Sequence, residues 1–216
     1  MITELMQYEA ILFDLDGTLV SSTDLWGEAL RSMFATLGIE LPAETFKQLY
    51  RANLKLKDWI ARFGVQETDL ERLRPLRDAH YIRLLKERVD WIDGAEDLLA
   101  SLTETHPLGL VTGSWMSYVN AINTRLPLVG YFKTIITAEK VGDFMKPHPH
   151  SLLLAADSLR VDPKKCIYIG DQLFDIEAAR NAGMASCCVR GSYTPKEAAE
   201  EADFTVESLE ELKEIV

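Results

Sequence analysis

Two aspartates directly follow a buried strand near the start of the sequence. Residues Ala10–Phe13 form a continuous apolar run, the pattern of a strand covered on both faces. Asp14 and Asp16 come next, and Gly17 allows a sharp turn beside a ligand. Side chains two residues apart on an extended backbone point to the same side, so two like charges are predicted together. Such a pair is costly unless a cation or a shared proton relieves the repulsion, which predicts a ligand site.

A second candidate is the segment Thr112-Gly113-Ser114, which follows a short apolar run beginning at Leu108 and opens a helix. A hydroxyl group beside the free amides of a helix N-terminus forms a site for an anion. The same tripeptide is also a common helix cap, and the residues alone leave both interpretations open.

A third candidate is Lys146, which lies in a Lys-Pro-His-Pro segment before a helix. The two prolines stiffen this loop and leave the lysine few conformations. A lone lysine is usually solvated, so Lys146 becomes a candidate only in combination with the other motifs.

The fourth candidate is the pair of acids Asp171 and Asp175, which follow the apolar run Cys166–Ile169 and Gly170. Two acids four residues apart at a strand-to-helix turn are also ordinary helix caps. Their place after a buried strand makes them candidates for the same site as Asp14.

The elements that must position these residues alternate along the chain. From Asp93 onward, short apolar strand patterns alternate with helical patterns, and the loops between them are short. This predicts an α/β fold with a doubly wound, Rossmann-like parallel sheet covered by helices on both faces. The reactive loops of such a sheet lie outside the carboxyl ends of its strands, which is where the candidate residues lie.

The segment 21–90 differs from the rest of the chain. Its patterns are helical throughout, and Pro75 is predicted to kink or restart the run Thr68–Val89. Its net charge is +1, whereas the remainder carries −12. These features predict a core of residues 1–20 and 91–216 with an inserted all-helical cap, residues 21–90.

The composition excludes several classes of protein. The net charge of −11 argues against a nucleic-acid partner. No apolar run approaches the roughly 20 residues of a membrane span, and the acidic start of the chain lacks the basic region of a signal peptide. Three cysteines cannot form a full disulfide set. We therefore expect a cytoplasmic protein with no nucleic-acid or membrane partner, either a monomer or a homodimer.

Taken together, the four motifs resemble those of the haloacid dehalogenase (HAD) superfamily of phosphohydrolases. The resemblance covers residues 11–183, and the helical insert resembles the C1 cap of the phosphoglycolate phosphatase-like and β-phosphoglucomutase-like branch. The matching motifs are Asp-x-Asp-Gly-Thr from Asp14, Thr-Gly-Ser from Thr112, Lys-Pro-x-Pro from Lys146 and Gly-Asp-x-x-x-Asp from Gly170.

The resemblance implies a role for each motif residue. Asp14 would attack phosphorus as the nucleophile, and Asp16 would act as general acid and then as general base. Mg²⁺ would be held by Asp14, Asp16 and Asp171, an oxygen-only set that suits a hard cation, with Asp175 in support. Thr112 and Lys146 would hold the phosphoryl oxygens. The full set that would bind the phosphate is Gly17, Thr18, Thr112, Gly113, Ser114 and Lys146.

The predicted function is Mg²⁺-dependent hydrolysis of a small phosphate monoester through an aspartyl-phosphate, similar to phosphoglycolate phosphatase. The alternative is a hexose phosphate phosphomutase resembling β-phosphoglucomutase, which uses the same core. Haloacid dehalogenases and phosphonoacetaldehyde hydrolases are disfavoured because they lack an acid at the position of Asp16. A non-catalytic binding protein on this scaffold would have lost at least one of Asp14, Asp16, Lys146 and Asp171, and all four are present.

The cap junction Arg51–Lys57 carries three cations and one amide and offers a hypothesis about the substrate. Arg51 or Lys55, with Asn53, is predicted to face the core and to bind the part of the substrate beyond its phosphate. A cation there favours a leaving group with a carboxylate or a second phosphate. The alternative, that all three cations are solvated, stays open. Two departures from the family pattern are a junction without glycine and Ser21 in place of an aspartate.

Overall fold

A computed structural model describes residues 8–52 and 61–215 of the chain. The described residues form one six-stranded sheet in which every pairing is parallel. The spatial order of the strands is β3-β2-β1-β4-β5-β6. In chain order they are β1 (Ala10–Phe13), β2 (Leu108–Val111), β3 (Thr134–Ile136), β4 (Cys166–Gly170), β5 (Ala185–Val189) and β6 (Phe204–Val206).

Ten α-helices occur in the described residues and alternate with the strands after β2. They are α1 (Thr23–Ala35), α2 (Ala43–Arg51), α3 (Glu67–Arg88), α4 (Ala95–Thr103), α5 (Met116–Asn123), α6 (Ala138–Val141), α7 (His150–Leu159), α8 (Leu173–Ala182), α9 (Lys196–Glu201) and α10 (Leu209–Ile215). In this part of the chain, no helix has both the length and the apolar character needed to cross a membrane. The predicted α/β fold with a parallel sheet is confirmed.

Helices cover both faces of the sheet, which explains the continuous apolar run of β1. Ile11 and Phe13 belong to one buried cluster, which includes side chains of α1, α3, α4, α5 and α10. Ala10 and Leu12 belong to a second cluster with side chains of α7 and α8. Because alternate side chains of a strand point to opposite faces, a strand buried on both faces must be apolar at every position.

The described residues of the segment 21–90, called the helical segment below, form the three helices α1, α2 and α3 and no strand. Parts of all three helices form an apolar cluster of their own, which includes Phe34, Phe46 and Leu73. The two ends of this segment lie next to each other. The amide of Ser21 donates to the carbonyl of Asp90 over 3.0 Å. These observations support the boundaries near residues 20 and 91, and the division into core and cap stays a prediction.

The structure differs from the sequence-based expectation at several helices. Pro75 was predicted to kink or restart the helical run, and the restart is wrong, because α3 runs through this residue as one helix of 22 residues. Pro75 lies on the exposed side of α3, where water can satisfy the carbonyl group of Glu71 that loses its N–H partner. The run Asp58–Phe63 belongs to the segment predicted to be all helical, and most of it lies outside the described residues. The short helices α6 and α9 were not predicted, because four and six residues show too little periodicity.

Candidate active site

Three neighbouring strands each end at a residue of a predicted motif, and these three residues lie at one edge of the sheet. Asp14 follows β1, Thr112 follows β2, and Asp171 follows β4, and these strands are adjacent in the order β2-β1-β4. Because all the strands are parallel, their carboxyl ends lie together. The topology therefore brings together residues that are up to 157 positions apart in the sequence.

Lys146 is the cation at the centre of this edge. Its buried ammonium group donates hydrogen bonds to Asp14 Oδ1 over 2.6 Å, to Asp175 Oδ1 over 2.6 Å and to the hydroxyl of Tyr168 over 2.7 Å. Burial alone would lower the pKa of Lys146, but Asp14 and Asp175 outweigh that effect and raise its pKa above the ordinary value. Lys146 therefore places a positive charge beside the Asp14 carboxylate.

Asp14, Asp171 and Asp175 form a buried carboxylate cluster. Each can offer one oxygen to a common point, and these oxygens lie within 4.8 Å of one another. Burial raises the pKa of Asp14 to about 7, against the opposing effect of Lys146. Burial also raises the pKa of Asp171 well above its usual value, with the Asp175 charge adding to the rise. One lysine cannot offset three carboxylates, and an all-oxygen site of this kind suits a hard divalent cation.

Asp16 takes partners different from those of Asp14. Its carboxylate accepts hydrogen bonds from Ser22 Oγ over 2.5 Å, Ser114 Oγ over 2.6 Å and Thr112 Oγ1 over 3.4 Å. The strand ends at Phe13, so the alternation expected of an extended backbone does not continue to Asp16. The carboxylate cluster therefore contains Asp175, and Asp16 stands apart from it among hydroxyl groups.

Gly17 and Thr18 pack directly against Asp171. Gly17 has a φ of +87°, and a Cβ atom at this position would lie 2.8 Å from Asp171 Oδ2. Only glycine meets both the left-handed conformation and the close approach. Thr18 Oγ1 donates to Asp171 Oδ1 over 3.4 Å. These two predicted phosphate-binding residues thus contact the carboxylate cluster in the described structure.

The segment after β2 forms a tight turn beside Asp16. The backbone amide of Ser114 donates to Thr112 Oγ1 over 3.0 Å, and Gly113 lies between them. Gly113 and Ser114 line the cavity described below, as do Asp14, Asp16 and Lys146. The structure therefore places the predicted phosphate-binding turn next to the predicted nucleophile.

A cavity of about 710 Å³ opens above these groups, between the sheet edge and the helical segment. Its lining includes two arginines of α3, Arg74 and Arg77. Its aromatic lining consists of Trp26, Tyr50, Tyr81, Trp115, Tyr118 and Phe174. A cavity of this size holds a substrate larger than an isolated phosphate.

Of the residues predicted to set substrate specificity, only Arg51 lies within the described residues. Arg51 is exposed and donates to the carbonyl of Ser192 over 2.6 Å, so it does face the core. It lines a separate cavity of about 520 Å³ together with Arg190 and Lys196. Asn53 and Lys55 lie outside the described residues. Besides Lys146, the described cations that line the cavity above Asp14 are Arg74 and Arg77, which were not predicted from the sequence.

Three more residues at the site were missed. Ser22 precedes α1 but bonds to Asp16 instead of capping that helix. Tyr168 accepts from Lys146 and donates to the carbonyl of Val111 over 2.8 Å. Gln172 donates to Asp171 Oδ2 over 2.5 Å. The signals were weak: Gln172 adjoins a motif aspartate, and Tyr168 is a polar side chain within an apolar strand.

The fold and the site together define an α/β enzyme whose reactive groups stand at the carboxyl edge of a parallel sheet. The chain belongs to the haloacid dehalogenase-like hydrolase family, whose sequence profile matches residues 11–189. The family predicted from the four motifs is therefore confirmed.

Relatives match the chain over nearly its full length. A phosphoglycolate phosphatase from Nitrosococcus oceani is 28% identical over 98% of both chains. The pyrophosphatase PpaX from Anoxybacillus flavithermus is 30% identical, also over 98% of both chains. The crystal structure of CbbY from Rhodobacter sphaeroides in complex with phosphate matches with a TM-score of 0.83 and 27% identity, over 96% of this chain and 99% of that one.

Proposed function

We propose that this protein is a Mg²⁺-dependent phosphatase that hydrolyses a small phosphate monoester through an aspartyl-phosphate on Asp14. The observation that carries the proposal is the Asp14 carboxylate at a strand end, 2.6 Å from the buried Lys146 ammonium and below a cavity of about 710 Å³. An anionic nucleophile must approach an anionic phosphate, and Lys146 reduces that repulsion. The relatives named as phosphatases support the same reaction class.

In this reaction Asp14 attacks phosphorus, and the bond from phosphorus to the leaving oxygen breaks. Asp16 gives its proton to the leaving alkoxide and then accepts a proton from the attacking water, which releases inorganic phosphate and frees Asp14. Asp16 suits this role because it lines the cavity, where hydrogen bonds from Ser22 and Ser114 hold its carboxylate in place. The turn around Gly113 provides polar groups for the phosphoryl oxygens.

The cluster of Asp14, Asp171 and Asp175 would hold the metal ion. Carboxylate oxygens are the donors that Mg²⁺ takes in proteins, and a bound Mg²⁺ stabilises the negative charge of the transferred group. The metal set predicted from the sequence was Asp14, Asp16 and Asp171. The cluster in the structure favours Asp175 in place of Asp16, and Asp175 also anchors Lys146.

We expect Mg²⁺ to stabilise the protein and to be required for turnover. At about 100 times its dissociation constant, a ligand of the folded state adds about 2.7 kcal/mol, which raises the melting temperature of a chain of this size by roughly 5–10 °C. Ca²⁺ should bind at the same carboxylates but support little catalysis, because its coordination is looser.

The measurement is a phosphatase screen with Mg²⁺, with Ca²⁺ and after treatment with EDTA, paired with thermal melts. The panel contains phosphoglycolate, hexose phosphates, pyrophosphate and p-nitrophenyl phosphate. A chelated sample that keeps full activity would contradict the metal requirement. Conversion of one hexose phosphate isomer to another, without release of inorganic phosphate, would favour the phosphomutase alternative.

The lining of the cavity indicates where the leaving group binds. Arg77 is buried, with its guanidinium group 4.7 Å from the ring centre of Trp26 and hydrogen bonds of 2.5 and 2.8 Å to Asp78. Its charge is therefore largely offset. Arg74, one helical turn earlier, is exposed and makes no ion pair with another described residue. We assign to Arg74 the anion-binding role that the sequence analysis gave to Arg51 or Lys55.

We expect Arg74→Ala to lower kcat/KM about tenfold for a substrate whose leaving group carries a carboxylate or a second phosphate, which corresponds to about 1.4 kcal/mol of transition-state binding. The rate on p-nitrophenyl phosphate should not change, because this substrate offers no anion beyond its phosphate. Steady-state kinetics on both substrates provide the measurement.

Arg72→Ala is the matched control, because Arg72 lies on the same helix, is exposed and pairs with Asp69 over 3.2 Å. Arg51→Ala tests the earlier prediction in the same assay. Equal losses for Arg74→Ala and Arg72→Ala would assign the effect to the surface charge of α3. A selective loss for Arg51→Ala alone would return the role to the junction.

A further inference from the structure

The loop 190–195, which connects β5 to α9, is held by helices α1 and α2 of the helical segment 21–90. The hydroxyl of Tyr193 donates to the carboxylate of Asp24 in the first turn of α1. The ring of Tyr193 lies edge-on to Phe46 at 5.8 Å and to Tyr50 at 5.5 Å, measured between ring centres, and both belong to α2. Contacts of three kinds, polar, aromatic and apolar, thus fix Tyr193 against two helices.

The same loop touches the carboxylate cluster through a single buried amide. Gln172 Nε2 donates to the backbone carbonyl of Tyr193 over 3.3 Å and to Asp171 Oδ2 over 2.5 Å. The primary amide has two N–H groups, and these two contacts use both of them. One side chain therefore joins loop 190–195 directly to an acid of the proposed metal site.

The environment of Gln172 argues against a role in packing alone. The residue is 1% exposed, and its backbone N–H donates to Asp175 Oδ2 over 3.0 Å at the start of α8. An apolar side chain of similar size would fill the space but would donate neither to Asp171 nor to the carbonyl of Tyr193. The reverse orientation of the amide would place its carbonyl oxygen against the Asp171 carboxylate, so the two donors fix the orientation. What glutamine provides here is the pair of donors.

We propose that Gln172 is a positioning residue that couples the docking of the helical segment, through Tyr193, to the orientation of the Asp171 carboxylate. This inference rests on the proposed metal site. Because Asp171 would be held in place from both sides, by Thr18 and by Gln172, loosening loop 190–195 should weaken metal binding. Coupling between two sites is reciprocal, so a bound metal ion should in turn favour the docked helical segment.

The test is calorimetric titration of the full-length protein with Mg²⁺ in the absence of substrate. We expect Gln172→Leu to weaken Mg²⁺ binding about tenfold, as loss of a partner of a metal ligand does. Tyr193→Ala should weaken it several-fold although its side chain does not contact Asp171. Tyr193→Phe, which loses only the hydroxyl bonded to Asp24, should show a smaller loss of the same sign. The double variant Gln172→Leu/Tyr193→Ala should bind no worse than Gln172→Leu, because both changes break one chain of contacts.

Tyr131→Phe is the matched control, since its hydroxyl donates to Glu96 over 3.4 Å in a part of the core away from the cluster. Melting curves without metal show whether each variant is folded, and the two Tyr193 variants still decide the question if Gln172→Leu does not fold. Wild-type affinity in both Tyr193 variants would overturn the coupling.

The outcomes also separate this inference from the proposed function. A wild-type protein that does not bind Mg²⁺ would overturn the metal site and the coupling together. A wild-type protein that binds Mg²⁺ but hydrolyses no phosphate ester would overturn only the proposed function, because the titration uses no substrate.

Discussion

Asp14→Asn should reduce phosphatase activity to below about a thousandth of the wild-type rate, because removal of a covalent nucleophile generally costs more than that. The substitution keeps the size and shape of the side chain but removes the anion that would attack phosphorus. Rates must be measured with metal-loaded, contaminant-free protein on the best substrate of the panel. Residual activity above that level would contradict the role of Asp14 as nucleophile.

The same variant should remain folded. Asp14 lies beyond the last residue of β1, and Lys146 keeps a second carboxylate partner in Asp175. Asp162→Asn is a matched control, because Asp162 is exposed and caps a short 3₁₀ turn, a task that asparagine performs equally well. Circular dichroism and thermal melts of both variants distinguish a lost reaction from a lost fold.

The sheet, and the meeting of three motif residues at one of its edges, could be predicted from the sequence for one physical reason. A strand buried on both faces must be apolar throughout, so Asp14, Thr112 and Asp171 mark the places where buried strands end. A parallel sheet then brings those ends to one edge. This prediction does not depend on the order of the strands in the sheet. In a parallel sheet every strand ends at the same edge, whichever strands are neighbours.

The partners of Asp16 could not be predicted in this way. The expectation that Asp14 and Asp16 point to one side assumed an extended backbone, but the strand ends at Phe13 and the chain turns at Gly17. That turn directs Asp16 to Ser22 and Ser114. Such contacts depend on where α1 and the turn before α5 lie in space, which local sequence patterns do not reveal.

Arg74 and Arg77 could not be found from the sequence for a related reason, while the prediction for Arg51, Asn53 and Lys55 stays a prediction. Residues of Arg51–Lys57 were selected by charge density alone, and charge density does not determine which side of a segment faces the site. The orientation of α3 is set by its buried residues. Leu73 belongs to the apolar cluster shared with α1 and α2, and Tyr81 belongs to the buried cluster that includes Ile11 and Phe13. Only that packing places Arg74 and Arg77 toward the cavity.

Lys146→Met should lose both catalysis and stability. The substitution keeps a long side chain but leaves Asp14 and Asp175 buried without their cation. Removing one partner of a buried ion pair typically costs about 3–5 kcal/mol, because the remaining charge is uncompensated. We expect a loss of this order in the free energy of unfolding, measured by urea denaturation in the presence of EDTA so that bound metal does not replace the lost charge.

Lys165→Met is the matched control for this prediction. Lys165 also forms a short ion pair, at 2.5 Å from Glu9, but both side chains are about half exposed. Water already solvates these charges, so the control variant should unfold at nearly the wild-type urea concentration. If Lys146→Met were as stable as this control, the carboxylates of Asp14 and Asp175 would not need the ammonium group. The loss of activity in Lys146→Met would then reflect the reaction alone, with Lys146 acting on the phosphate and not on the folded state.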